Sequence, residues 1–265
     1  SGLDEVLNDF RADVSRAEHL LTLVKTFREF GASAPPCAIV DSTVPWPEAM
    51  VLYEASRLRR TDLPVLSGSL QLYLVGRFEY CIRQIVQVIA DEIASRATKY
   101  SDLPDSLRTE LKCRTIEVAQ IRDGMDLKLQ AEALLATLVG NFQSVVGPLS
   151  VSSSVLSITE SNMKDRVLAE LLKRVGMNDF WKEVGKQANV KLHLEKMTDG
   201  ETTAEAQSRL NALMDERNQV AHPTSSTQFP DPDQVLKAAS FLSTLASVTV
   251  DLAKVYLANY KPVGA

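Results

Sequence analysis

Apolar residues return at three- and four-residue steps along most of this 265-residue chain, the period of helices that bury one face. Leu3, Val6, Leu7, Phe10, Val14, Ala17, Leu21, Val24 and Phe27 line one side of a long first helix, which should stop near Gly31, ahead of Pro35-Pro36. Residues 32–47, with Pro35, Pro36, Pro45 and Pro47, read as a connector. A shorter helix follows from Glu48 to Arg60 and ends in the basic run Arg57, Arg59, Arg60. The strongest stripe lies in 67–96: Leu70, Leu74, Phe78, Ile82, Ile85, Ile89 and Ile93, with Gly68 and its flanking serines marking the start. Pro104-Asp105 opens another helical stretch, carried by Leu107, Leu111, Ile121 and the run from Leu127 to Phe142 until Gly147-Pro148 breaks it.

The serine-rich segment 150–157 reads as a loop with a short extended piece. Ser161 or Asn162 can cap a helix over 163–175 that stops at Gly176, and Phe180-Trp181 begin another short helix. Residues 198–202 look turn-like, and 203–221 is helical again. Asp231 as cap and Pro232 in the first helical position then open a final helix, with Val235, Ala239, Leu242, Leu245, Leu252 and Tyr256 facing inward. No strand pattern and no internal repeat appears. The fold class is all-α, an irregular helical bundle divided into an N-terminal helical extension, 1–64, and a helical domain, 65–262.

Composition narrows the function classes. The chain is 45% hydrophobic and 24% charged, and its net charge of −5 argues against a non-specific nucleic-acid coat while leaving room for a local basic patch. Cys37, Cys81 and Cys113 are odd in number and far apart, so neither a disulfide framework nor a zinc knuckle is expected. No uninterrupted run of about 18 apolar residues and no basic-then-apolar leader is seen, which reads as a cytoplasmic chain with no membrane partner. Phosphate-loop, dinucleotide-binding and hydrolase-elbow glycine motifs are missing. His19, His193 and His222 contain no pair at helical ligand spacing, so no metal site and no cofactor is expected. His19 should face solvent, and His193 reads as a plain surface or half-buried histidine.

The remaining histidine closes Arg217-Asn218-Gln219-Val220-Ala221-His222. Four residues apart on a helix, Asn218 and His222 are separated by about 40° and share a face. Arg217 lies on the stripe of Leu213, Met214, Val220 and Ala221, where a cation is costly unless an anion or a second chain meets it. Pro223 biases His222 out of helical geometry and lets it turn back toward Arg217. A guanidinium, an amide and an imidazole at one helix end suit phosphate chemistry, supplying charge, orientation and proton transfer. A helix C-terminus whose cations merely complement the dipole would look the same. Glu79 has two readings of its own, the plainer being an i,i+4 pair with Arg83. Lys173 and Arg174, like Arg57, Arg59 and Arg60, form either a solvated charged face or contacts that steer a phosphate backbone.

Arg-Asn-x-x-x-His near the end of an all-α chain resembles the Arg-x4-6-His signature of the HEPN superfamily, and within it the RiboL-PSP-HEPN and MAE_28990-like group of bacterial toxin and defence proteins. The segment from Leu70 to Tyr80 is similar to the family's apolar helix with an embedded glutamate. Ser161-Asn162-Met163 through Lys173-Arg174-Val175-Gly176-Met177 is similar to its Asn-led helix ending in a basic-x-Gly turn. The resemblance covers about 65–255 and departs at Pro223, where many relatives carry a small residue. It implies a homodimer whose two motifs meet in a cleft, and metal-independent cleavage of RNA to a 2′,3′-cyclic phosphate and a 5′-hydroxyl. It also implies catalytic roles for Arg217, Asn218 and His222, and for Glu79 a carboxylate that orients Arg217 or Asn218. Expected partners are RNA and a second copy of the chain, together with an antitoxin or a neighbouring effector protein. The alternative is a HEPN-like dimerisation or interaction module that binds RNA or a protein and cleaves nothing.

Overall fold

The helical period becomes helix wherever a chemical start or stop accompanies it. The computed structural model describes residues 1–35, 47–59, 61–120, 125–143, 149–159 and 161–261, with no side-chain description for 47 and 125–130. Among these are α1 (Gly2–Ala32), α2 (Pro47–Leu58), α3 (Leu63–Ser95), α4 (Asp105–Gln120), α5 (Met125–Gln143), α6 (Asp165–Arg174), α7 (Phe180–Gly185), α8 (Ala188–Leu194), α9 (Asp199–Ala221) and α10 (Pro232–Asn259). Two short 3₁₀ turns, Tyr100–Asp102 and Ser153–Ser157, complete the regular structure, and no strand occurs among the described residues. The fold is all-α. Pro36, Cys37, Pro45, Arg60, Ile121, Gly147-Pro148 and the Leu127 side chain lie outside the described residues.

Several boundaries differ from the sequence pattern for identifiable reasons. α3 starts four residues before the expected 67, because proline is tolerated in a first turn and Pro64 follows Leu63 there. α9 begins at Asp199, inside a segment that reads as a turn. Thr198 accepts the Glu201 N–H through Oγ1, and the Glu201 carboxylate accepts the Thr198 N–H, each at 3.3 Å; this reciprocal cap overrides the glycine at 200. The serine-rich segment forms a 3₁₀ turn with no extended piece, held where Ser157 Oγ accepts from Gln87 Nε2 at 2.8 Å. α10 opens as its local chemistry requires: Asp231 accepts the Asp233 N–H at 2.9 Å, and Gln234 returns an oxygen to the Asp231 N–H at 2.8 Å.

The chain falls into two compact units. The first comprises 1–9, 78–214 and 244–265. Its central element is α3 from Phe78 onward, where Phe78, Ile82, Ile85, Val86, Ile89, Ala90 and Ile93 are all fully buried. α4 packs against α5, α6 and the 3₁₀ turn Ser153–Ser157, and α6 in turn meets α7. α6 ends at Arg174, and the chain turns away at Gly176, whose φ of +94° suits glycine and whose missing side chain leaves room for the Tyr256 hydroxyl. Cys81 is buried and Cys113 exposed, neither in a disulfide among the described residues.

The second unit comprises 10–77 and 215–243. Its polar anchor is Asp13, 3% exposed, which accepts from the Tyr73 hydroxyl at 2.7 Å, from Arg16 Nη1 at 2.7 Å and from Arg77 Nε. Burial works to raise the Asp13 carboxyl, but Tyr73 and Arg77 outweigh it and hold the group below its ordinary value. Ion pairs Lys25–Asp233 and Arg28–Asp231, both 2.6 Å, tie α1 to the start of α10.

The apolarity of α10 goes further than the sequence pattern suggested. One 18-residue window reaches a mean hydropathy of 1.4, long and apolar enough to cross a membrane by composition. More than half of that window is buried inside the structure, with Val235, Ala239, Leu242, Leu245, Ala246, Val250 and Ala253 at 0–1% exposure, so packing accounts for the composition.

Candidate functional site

Asn218 lies in the last turn of α9 with Arg217 just before it, and His222 is the residue after the helix end. The helix stops here because Pro223 carries no N–H for the next intrahelical bond and disfavours helical geometry in the residue before it. His222 itself still donates its backbone N–H to the Asn218 carbonyl at 3.0 Å, which keeps the imidazole-bearing residue on the helix end. Beyond Pro223 a hydroxyl-rich turn takes over. Thr227 Oγ1 accepts the Thr224 N–H at 2.7 Å, and the hydroxyls of Thr224 and Ser226 lie 3.0 Å apart. Local side-chain bonding of this kind fixes a loop without regular structure.

The three motif side chains sit in different environments. Met214 is fully buried and Val220 nearly so, while Arg217 and Asn218 between them are half-buried and His222 is exposed. Arg217 Nη1 donates to Asn218 Oδ1 at 3.3 Å. That bond restricts the plane of the guanidinium, whose rigid fork is suited to two oxygens of a phosphate. The His222 ring has no hydrogen bond among the described residues and is open to solvent. Placed together, these groups offer a fixed cation and an accessible imidazole at one helix end.

Glu79, Lys173 and Arg174 belong to the first unit, and each has a definable setting there. Glu79 does not pair with Arg83 among the described residues: its Oε1 accepts the Met163 N–H at 3.2 Å, while Arg83 donates to Thr159 Oγ1 at 2.9 Å. Neither Ser161 nor Asn162 caps α6, which begins later, at Asp165, and its cap residue Lys164 does not cap it through the side chain. The Asp165 N–H is met instead by Asn211 Oδ1 at 2.9 Å, from α9. Glu79 and Asn211 therefore hold the approach to α6 across long stretches of chain. Met163 is fully buried, so Glu79→Ala is expected to strand its N–H and to cost about 1–3 kcal/mol. Glu79→Gln keeps an acceptor and should retain most of that stability; melting temperatures of the two variants distinguish the cases.

Lys173 is exposed, whereas Arg174 is committed to structure. Arg174 Nη1 donates to the Leu156 and Ile158 carbonyls at 2.7 and 2.8 Å, clamping the 3₁₀ turn. Burial, and then the charge of Arg114, push its guanidinium below the ordinary arginine value. Two cavities of about 320 and 450 Å³ flank this arginine, but their cations are matched by Glu110, Glu117 and Glu170. His19 is exposed. His193, half-buried on α8, lies with Nδ1 3.4 Å from Thr244 Oγ1, and burial followed by the charge of Arg209 lowers its pKa.

A second group near the motif was not legible in the pattern. Gln71 of α3, 2% exposed, donates through Nε2 to Glu216 Oε2 at 2.9 Å, beside a cavity of about 210 Å³. Close approach at Gly68 builds one wall of this region: a Cβ there would stand 2.7 Å from the Phe229 ring and 3.0 Å from Val220. The only advance signal was the glycine itself, which lies within the helix and does not mark its start.

The family model for RiboL-PSP-HEPN matches residues 52–254 of the chain. No curated protein and no solved structure matches it.

Proposed function

This chain belongs to the RiboL-PSP-HEPN family of the HEPN superfamily, and from that premise we propose that it is a metal-independent endoribonuclease of toxin or defence type. Membership supports a nuclease or RNA-interaction role in general. The observation that carries the finer reading is the Arg217–Asn218 hydrogen bond, with the open imidazole of His222 on the same helix end. In this reading His222 takes the proton from an RNA 2′-hydroxyl, and the resulting oxygen attacks the adjacent phosphorus. The bond from phosphorus to the 5′ oxygen breaks, and that oxygen leaves with a proton from solvent. Arg217 stabilises the charge that builds on the non-bridging oxygens, while Asn218 fixes the guanidinium plane.

The site is proposed to be one half of a composite centre. Two copies of Arg217 facing one another would repel unless a phosphate lies between them, so substrate is the natural occupant of such a cleft. An antitoxin or neighbouring effector protein is the proposed regulator. Light scattering on the full chain at micromolar concentration should give twice the chain mass of 29.2 kDa, and a monomer would contradict the composite site. A dimer that binds RNA yet leaves it whole would replace the catalytic reading with that of an interaction module.

A further inference from the structure

The cavity beside the motif helix is bordered by Gln71, Glu216, Gln219, Gln228, Phe229 and Gln234. Its chemistry is unlike that of a phosphate site: among the described residues its lining holds no arginine or lysine, and the ionised group there is the Glu216 carboxylate. Four glutamines offer neutral donors and acceptors, and the half-buried Phe229 offers an aromatic ring. At about 210 Å³ it falls below the roughly 300–1,000 Å³ of pockets for drug-sized ligands, a size suited to a single flat heterocycle.

Gln71 shows that the carboxylate is positioned. Its amide orientation follows from its partner, since only the Nε2 end can donate to Glu216 Oε2 at 2.9 Å. The opposite end, Oε1, is buried without a hydrogen-bond partner among the described residues, an arrangement that costs stability and that native structures tend to keep for a functional reason. A glutamine sunk to 2% exposure thus aims an exposed carboxylate along the cavity. An ionised carboxylate has about four lone-pair sites, so one bond from Gln71 leaves it able to accept two parallel donors.

We infer that this cavity is a guanine-reading pocket, with Glu216 accepting from the base and Gln71 as its positioning residue. This assignment rests on the ribonuclease reading for its ligand, since RNA is what brings a base to the motif. Among the four RNA bases only guanine presents two adjacent N–H donors, N1–H and N2–H, on its Watson–Crick edge. Uracil has one donor flanked by two carbonyls that repel a carboxylate. Adenine and cytosine each set an acceptor nitrogen beside their amine. Amides of Gln219 or Gln228 can donate to guanine O6, and Phe229 can stack on the ring. Glu216 and Gln219 bracket Arg217 and Asn218 in sequence, so the pocket and the proposed phosphate contact lie within one turn of the same helix.

The test is titration of the full chain with free nucleosides, which carry no phosphate, followed by calorimetry or NMR. Guanosine should bind saturably, and inosine, which lacks only the N2 amine, should bind at least about tenfold more weakly, the size of discrimination that one lost bidentate contact produces. Adenosine and uridine should be weaker still. Glu216→Gln should erase the guanosine-over-inosine ratio at an unchanged melting temperature, and Gln71→Met should reduce that ratio while guanosine still binds. Equal binding of guanosine and inosine, no binding of guanosine, or a ratio that survives Glu216→Gln would overturn the assignment. Mapping cut sites on single-stranded RNA separates the two claims. Cleavage without regard to guanine defeats the pocket alone, whereas guanosine binding by a chain that cuts no RNA supports the pocket and defeats the nuclease.

Discussion

Replacing His222 by alanine is expected to lower RNA cleavage by roughly 10²–10⁴-fold, the range that a positioned general base supplies. The fold should survive. His222 is exposed, its ring bonds to nothing among the described residues, and surface changes of this kind usually move stability by no more than about 0.5 kcal/mol. Single-turnover rates of the two proteins, with circular dichroism as a control for folding, check both points.

Arg217→Lys should be slow but not dead, down by about 10²–10³-fold, the usual effect of losing one contact to a developing oxyanion. Lysine keeps the charge but lacks the planar fork that grips two phosphate oxygens, and it cannot reproduce the plane set by the bond from Arg217 Nη1 to Asn218 Oδ1. Asn218→Ala should be milder, because it loosens the guanidinium without removing it. The order His222→Ala, then Arg217→Lys, then Asn218→Ala in single-turnover rates distinguishes this division of labour from a helix end whose cations only complement the dipole. In that case all three variants would behave alike.

What the sequence reveals depends on whether the deciding partner is near in the chain. The stripe through Leu74, Phe78, Ile82, Ile85, Ile89 and Ile93 is legible because one helix period places all of them in the core, and each is at most 1% exposed. Asp231 and Pro232 mark the start of α10 for the same local reason. The start of α6 is hidden, since Asn211 meets its first N–H and Glu79 meets the Met163 N–H just ahead of it, both from distant segments of the chain. α9 is misjudged at its beginning because Gly200 outweighs the cap between Thr198 and Glu201 when only composition is read. At the candidate site the adjacency of Arg217 and Asn218 is visible in the chain itself. The Gln71–Glu216 contact joins residues 145 positions apart, and no periodicity or spacing rule points to it.

The proposed chemistry has the RNA 2′-hydroxyl as nucleophile and the Arg217-Asn218-His222 end of α9 as the seat of the reaction. Incubating single-stranded RNA with the parent and with His222→Ala in excess EDTA, then identifying the ends of the fragments, tests it most directly. The parent should cut fully in the chelator and leave 2′,3′-cyclic phosphate and 5′-hydroxyl ends, while His222→Ala leaves the RNA intact. Fragments ending in a 3′-hydroxyl and a 5′-phosphate, loss of all cleavage on chelation, or equal cutting by the two proteins would contradict it.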